Sequence, residues 1–170
     1  MSNSPLSIEQ FVRAIPKVEL HCHLFGTVRQ ATFRSLAAKT NNVVTPEEID
    51  AFYTRGEKPV GVLRVLRALD AHLIVAPADL YCLTYEYLED AHGHGVRYAE
   101  FFWNPTGTVR VSGIRYEAAQ DAIVAAIRDA ERDFGVIGRL IPSIDREASP
   151  EEAVQMVEWM KEHRALEVIG

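Results

Sequence analysis

Strand-like apolar segments alternate with helical segments along the chain, and no hairpin turn joins one strand-like segment to the next. Hydrophobic spacing predicts strands near 18–24, 96–103, 136–144 and 166–170, with helices between them. Strands that are separated by helices pair in parallel, because the chain must cross back before the next strand begins. The sequence therefore predicts an α/β fold made of βα units, and nothing within residues 1–170 marks a second domain.

The length of the chain limits which α/β architecture it can complete. It has 170 residues, whereas a full (β/α)8 TIM barrel takes about 250 residues. Four helical segments between the first two strands exceed a plain βα unit. They predict an insertion over the C-terminal mouth of the sheet, although ordinary core helices would explain them equally well. We expect a partial (β/α)8 TIM barrel, with about the first three to four βα units and a helical insertion after strand 1, or another α/β arrangement.

Charge and hydropathy argue against several classes of partner. The 18 basic and 24 acidic residues give a formal net charge of −6 without a long basic run, so we expect no nucleic acid partner. No apolar run reaches the ~20 residues that span a bilayer, and the N-terminus lacks a basic and then apolar leader pattern. We expect a cytoplasmic protein with no membrane partner, in which Cys22 and Cys82 are reduced thiols.

A pair of histidines stands at the end of the first predicted strand. Side chains alternate faces along a strand, so His21 and His23 should project to one side. Two imidazoles on one face can bind one divalent cation such as zinc, and Gly26 follows where an α/β barrel places its chemistry. A metal site is the favoured interpretation. The alternative is a pair of histidines that only form hydrogen bonds within the strand.

A second His-x-His pair occurs at His92 and His94. These residues precede the second strand, so we expect them in a loop at the opposite, N-terminal edge of the sheet. One sheet cannot bring both pairs to one ion, and the second pair is therefore predicted not to bind metal. His72 falls in a helical segment and is predicted to be a surface or core residue.

The second strand ends with further candidates. Glu100 could orient a ligand histidine, as metal sites commonly require, or form a buried ion pair with Arg97 or Arg139. Trp103 could contact a substrate, but core packing explains it almost as well. A long loop is predicted between this strand and a helix from about 115 to 134. After the third strand, 145–147 could serve a site or only a turn.

Several of these segments together resemble one enzyme family. The run from Pro16 to Leu24 with Gly26-Thr27, and less specifically 96–102 with Asn104-Pro105, are similar to the first two barrel strands of adenosine and adenine deaminases in the zinc amidohydrolase superfamily. The resemblance covers the whole chain but only about the first half of such an enzyme. It implies an adenine-type purine as the small-molecule substrate.

The resemblance also implies a mechanism and a metal. In the family, zinc is held by the two histidines that match His21 and His23, with a third histidine and an aspartate from later strands. A zinc-activated water attacks C6 of adenine, and a later glutamate moves protons. This chain has no counterpart for these later residues, so no catalytic residue is assigned within it. We expect the chain alone to be inactive unless the missing C-terminal half of the barrel is supplied, and a homo-oligomer is one arrangement that we consider.

One position departs from the family pattern. Two residues after the second histidine the family usually carries an acid, which in adenosine deaminases contacts the sugar hydroxyl, and here that residue is Phe25. A phenyl ring cannot accept that hydrogen bond. The predicted substrate is therefore adenine with a different or apolar substituent, or a modified nucleoside, bound near Phe25, Gly26 and Trp103. A metal-dependent phosphohydrolase and a non-catalytic α/β module remain alternatives.

Overall fold

The computed structural model describes residues 7–41, 43–54, 62–146 and 148–169. Three strands form one sheet in the order β1 (Lys17–His23), β2 (Val96–Trp103) and β3 (Ile137–Pro142), and both neighbouring pairs are parallel. The predicted parallel α/β architecture is confirmed. The helices are α1 (Ile8–Ala14), α2 (Gln30–Lys39), α3 (Pro46–Tyr53), α4 (Val62–Ala68), α5 (Pro77–Gly93), α6 (Pro105–Ser112), α7 (Tyr116–Phe134) and α8 (Pro150–Glu162).

Two faces of the sheet differ in what covers them. On β2, Ala99, Phe101 and Trp103 are buried beneath α5 and α7, whereas the alternate residues of the strand are half-buried on the other face. The helices approach β3 closely: a methyl group on Gly138 would lie 3.2 Å from the Ile127 side chain. The hydrophobic core therefore lies on the helix-covered face, and the opposite face is free to carry polar and functional side chains.

The first strand does not alternate regularly along its whole length. Glu19 pairs with Ala99, whereas Cys22 pairs with Phe101, so the register of β1 shifts by one residue between these pairs. Such a bulge re-aims the side chains around it. Simple alternation would put Glu19 on the same face as the histidines. The shift instead makes Glu19 the register partner of Ala99, whose side chain is buried on the helix-covered face.

The predicted helical insertion follows β1. A short 3-10 turn (Leu24–Thr27) leads into α2, which is followed by α3 and α4. A π-helical turn (Leu69–Leu73) follows α4 directly and precedes α5. The helix predicted from Val60 is observed from Val62, and its predicted first residues lie outside the described residues. The insertion meets the rest of the molecule partly through the contact between the π-helical turn and α6.

Four boundary predictions need correction. The predicted loop after β2 is largely helix α6, because the Asn104 side chain accepts a hydrogen bond from the Thr106 amide and Gly113 ends the helix at a φ of 71°. His92 lies in the last turn of α5, not in a loop. The third strand is shorter than predicted, and the predicted fourth strand contributes one bridge, between Leu140 and Val168.

No described helix is long and apolar enough to cross a bilayer.

Candidate metal centre

The two histidines of β1 lie side by side on the face of the sheet that the helices do not cover, which we call the open face. The ring centroids of His21 and His23 are 5.6 Å apart, with an interplanar angle of 72°. Both residues are exposed, and His23 is the last residue of β1, at the C-terminal edge of the sheet. The two imidazoles therefore lie close together at this edge of the sheet.

Phe102 on the neighbouring strand packs against both imidazoles. It is in register with His23, and its ring centroid lies 4.8 Å from that of His21 and 5.3 Å from that of His23. Phe102 is not among the site residues that were predicted from the sequence. The signal was available, because even-numbered residues of β2 share a face and Phe102 is the even-numbered residue closest to the strand's C-terminal end.

The histidine pair fits part of a zinc site. Neutral imidazole is a good zinc ligand, and a catalytic zinc usually takes three protein ligands and an open position. Within the described ranges, no group of three or more His, Cys, Asp or Glu side chains is placed to hold a metal ion. His21 and His23 are therefore candidates for two ligands of such a site, and the described residues offer no third beside them.

Cys22 lies between the two histidines in sequence but faces the other way. It pairs with the buried Phe101, and burial raises the pKa of its thiol, with a smaller contribution in the same direction from the Glu19 carboxylate. A raised pKa keeps the thiol protonated, and a protonated thiol is a poor metal ligand. Cys22 and Cys82 are not joined by a disulfide in the structure, and their reduced state stays a prediction.

Glu100 lies on the open face, and its carboxylate is engaged locally. The Tyr98 hydroxyl donates a hydrogen bond of 2.7 Å to Glu100 Oε1, and this bond raises the pKa of Tyr98. Arg139 is the register neighbour of Glu100 on β3. The role of Glu100 in orienting a ligand histidine stays a prediction.

Trp103 does not lie on the histidine face. Its side chain is 1% exposed and belongs to the core, where it stacks on Tyr116 and its Nε1 donates a hydrogen bond of 3.2 Å to Thr108 Oγ1. The predicted contact of Trp103 with a substrate does not fit this placement. The reason is strand parity: Trp103 is an odd-numbered residue of β2, and those residues face the helices.

The other predicted substrate residues follow His23 directly. Phe25 is half-buried and packs against the core, and Gly26 is exposed in the 3-10 turn. A methyl group on Gly26 would meet no described atom within 4 Å. Both residues therefore lie at the C-terminal edge of the sheet beside the histidine pair, and their contact with a substrate stays a prediction.

The remaining candidates lie elsewhere. His94 caps the C-terminus of α5, just before β2 begins, so the second histidine pair is at the N-terminal edge of the sheet, as predicted. His72 is exposed in the π-helical turn. Asp145 follows β3, and Glu147 lies outside the described residues.

Comparison with known proteins identifies relatives along nearly the whole chain. The adenosine deaminase family model matches residues 16–170. An adenine deaminase from Schizosaccharomyces pombe is 35% identical over 90% of this chain and 43% of its own length. An aminodeoxyfutalosine deaminase from Acidothermus cellulolyticus is 32% identical over 99% of this chain and 46% of its own length. The chain thus spans about half the length of the curated relatives it matches.

Solved structures agree with this assignment. An amidohydrolase from Burkholderia ambifaria with bound zinc is 61% identical, with a TM-score of 0.90 over 99% of this chain and 47% of that one. An adenine deaminase from Arthrobacter aurescens is 26% identical, with a TM-score of 0.77 over 92% of this chain and 48% of that one. These neighbours are TIM-barrel amidohydrolases, which confirms the partial (β/α)8 barrel. The chain therefore belongs to the adenosine deaminase family, of whose barrel it forms the N-terminal part.

Proposed function

We propose that this chain contributes to the hydrolytic deamination of an adenine-type purine, with release of ammonia. The observation that carries the proposal is the pair of exposed imidazoles of His21 and His23, with ring centroids 5.6 Å apart at the C-terminal edge of a parallel sheet. Active sites of barrel enzymes lie at this edge. Deaminase relatives and a zinc-containing neighbour at 61% identity support the same assignment.

In this proposal His21 and His23 would each bind a zinc ion through one imidazole nitrogen. When bound, zinc supplies Lewis-acid activation of a water nucleophile near neutral pH. Phe102 contributes by packing against both rings, which limits the orientations that the imidazoles can adopt. The groups that move protons, and the remaining ligands, are contributed by strands that follow β3 in the barrel.

The proposed site needs these further strands to pack against the present ones. Val18 and Leu20 on β1 are 63% and 56% exposed, and Leu166 beside the Val168 bridge is 88% exposed. Exposed apolar side chains at open sheet edges favour pairing with additional strands. We propose that the rest of the barrel covers them, whether it comes from the same polypeptide or from a second copy.

Phe25 shapes the proposed substrate preference. Its ring follows His23 by two residues and offers apolar surface, whereas a 5′-hydroxyl group needs a hydrogen-bonding partner. We propose a substrate with adenine as its reacting base and an apolar or modified substituent in place of an unmodified ribose. A phenyl ring at this position favours such a substituent by burying it.

Ammonia release tests the proposal. A polypeptide that carries this chain with the remainder of the barrel is loaded with zinc and offered adenine, adenosine, 5′-modified adenine nucleosides and phosphomonoesters. We expect ammonia from the adenine compounds, a loss of at least ~100-fold in kcat/KM for His23→Ala, and wild-type rates for the matched variant His94→Ala. Release of phosphate without ammonia would instead indicate a phosphohydrolase, and full activity of His23→Ala would contradict the proposed site.

A further inference from the structure

Asp70 joins the helical insertion to the segment that follows β2. It lies in the π-helical turn at the end of the insertion, and the Thr108 hydroxyl, 38 residues further along the chain, donates a hydrogen bond of 2.9 Å to Asp70 Oδ1. The carboxylate also lies directly over Gly107, where any Cβ atom would overlap it. The first turns of α6 are therefore shaped to receive this side chain.

The contact continues to the end of the strand that supports the histidines. Trp103 Nε1 donates a hydrogen bond to Thr108 Oγ1, and Thr108 in turn donates to Asp70. Trp103 is the last residue of β2 and follows Phe102, whose ring packs against both imidazoles. A continuous set of contacts therefore joins the insertion to the C-terminal edge of the sheet.

The Asp70 carboxyl group lies in surroundings that disfavour its charge. Burial raises the pKa of Asp70 to about 6, and the nearby Asp145 carboxylate acts in the same direction. Hydrogen bonds from Thr108 and the positive charge of Arg110 on α6 act in the opposite direction but do not cancel the effect of burial. Asp70 is therefore neutral in mild acid and ionised at neutral pH.

Charged groups on the other elements around the π-helical turn have partners of their own. Lys39 of α2 forms an ion pair of 2.7 Å with Asp79, and Arg64 of α4 pairs with Glu48. His72, in the same turn as Asp70, is exposed. Arg110 and Asp145 are the charged groups whose influence on Asp70 is resolved among the described residues.

We propose that Asp70 is a positioning residue, which sets how firmly the insertion is held against the end of β2 and holds it more firmly when its carboxyl group is neutral. A site that raises the affinity of an acid for its proton is itself stabilised when the proton binds. The docked arrangement, in which the insertion contacts α6 at the end of β2, is therefore favoured in acid. Ionisation of Asp70 at neutral pH favours release of the insertion from this contact. The shift from 3.8 to about 6 corresponds to a change of up to about 100-fold in the ratio of docked to released states.

The choice of an acid supports this role. An asparagine could accept the same hydrogen bond from Thr108 without the cost of a buried charge. A carboxyl group that ionises near neutral pH instead makes the strength of the contact between the insertion and α6 depend on pH. The consequence for substrate rests on the proposed function: the insertion would open more readily at neutral pH and admit substrate to the edge where His21 and His23 lie.

Hydrogen–deuterium exchange tests the proposal without metal or substrate. Exchange is measured in peptides that cover 62–73 and 105–112, with correction for the intrinsic effect of pH. In the wild type we expect slower exchange of both segments at pH 5 than at pH 7.5. Asp70→Asn should slow exchange at pH 7.5 by about tenfold or more and remove the pH dependence. Gly107→Ala should accelerate exchange, because its methyl group displaces the carboxyl group.

Glu167→Gln is the matched control, because Glu167 is a buried acid whose partner Arg128 lies on α7, away from the insertion. It should leave exchange in both segments unchanged. Equal exchange in Asp70→Asn and wild type at pH 7.5, or the same change in Glu167→Gln, would overturn the proposal. If Gly107→Ala fails to fold, Asp70→Asn and the wild-type pH series decide the question. Because no activity is measured, failure of the proposed deaminase function would leave these results unaffected.

Discussion

The ring of Phe102 stacks on the ring of His23 across the β1–β2 pair, with centroids 5.3 Å apart and ring planes 28° from parallel. The same phenyl ring lies 4.8 Å from His21. Groups that fix the orientation of a ligand histidine commonly matter for metal affinity. Phe102 therefore limits the orientations that both imidazoles can adopt.

Truncation of Phe102 should weaken zinc binding. We expect Phe102→Ala to lower the zinc affinity of the assembled barrel by about 10- to 100-fold, measured by competition with a chromophoric chelator. Ile141→Ala removes apolar bulk from the register neighbour on β3 and should change the affinity by less than about twofold. Equal affinities for wild type and Phe102→Ala would show that the phenyl ring does not orient the histidines.

Strand parity explains what the sequence could and could not predict at this site. Alternation along β1 correctly placed His21 and His23 together, with ring centroids 5.6 Å apart. The same rule, applied to β2, would have selected Phe102 and rejected Trp103. Glu19 was not predictable in this way, because a register shift depends on how two distant strands pair and leaves no local signal in either one.

The stability of Asp70→Asn relative to wild type should depend on pH. The folded-state pKa of Asp70 is about 6, above its ordinary value of 3.8, so the folded protein binds a proton that the unfolded chain releases. The Asp70 carboxyl group contributes most to the free energy of unfolding of the wild type below about pH 4. This contribution is lost as the pH rises to 6 and above. The free energy of unfolding of Asp70→Asn, relative to that of the wild type, should therefore rise by on the order of 1–3 kcal/mol between pH 4 and pH 7.5. Urea unfolding measures this difference. A difference that does not vary with pH would contradict the assignment.

A side chain at position 107 should destabilise the fold. Gly107 lies beneath the Asp70 carboxylate, and Gly107→Ala forces that buried group to move. We expect a loss of about 1–3 kcal/mol in the free energy of unfolding, measured with urea. Gly93→Ala is the matched control, because a methyl group there meets no described atom within 4 Å, and it should be neutral or stabilising. Equal stability of Gly107→Ala and wild type would mean that Asp70 leaves this position easily.

Helix α6 shows where local sequence signals were overlooked. Asn104 and Pro105 provide a side-chain cap and a first-turn proline, the same signal that begins α3 and α8. Gly107 and Gly113 in the same segment favour a loop instead. Gly113 does end the helix, but Gly107 is required by a contact with Asp70, 37 residues earlier, and a long-range contact of that kind cannot be read from the local sequence.

Replacement of Phe25 should change substrate preference. Phe25→Asp supplies the acid that the family usually carries at this position, so a carboxylate could accept a hydrogen bond from a 5′-hydroxyl group. We expect the ratio of kcat/KM for adenosine to that for a 5′-deoxy or alkylated analogue to rise by about 10-fold or more. Phe52→Asp, which changes a phenylalanine of α3, tests for nonspecific effects. An unchanged ratio in Phe25→Asp would place the substituent elsewhere.

Zinc stoichiometry measured by mass spectrometry on the assembled barrel tests the central claim most directly. The claim predicts about one zinc ion per chain in wild type and in the double variant His92→Ala/His94→Ala, and less than about a tenth of that in His21→Ala/His23→Ala after the same dialysis. Undiminished zinc in the His21→Ala/His23→Ala protein, with its fold intact by circular dichroism, would contradict the claim that these two histidines hold the metal.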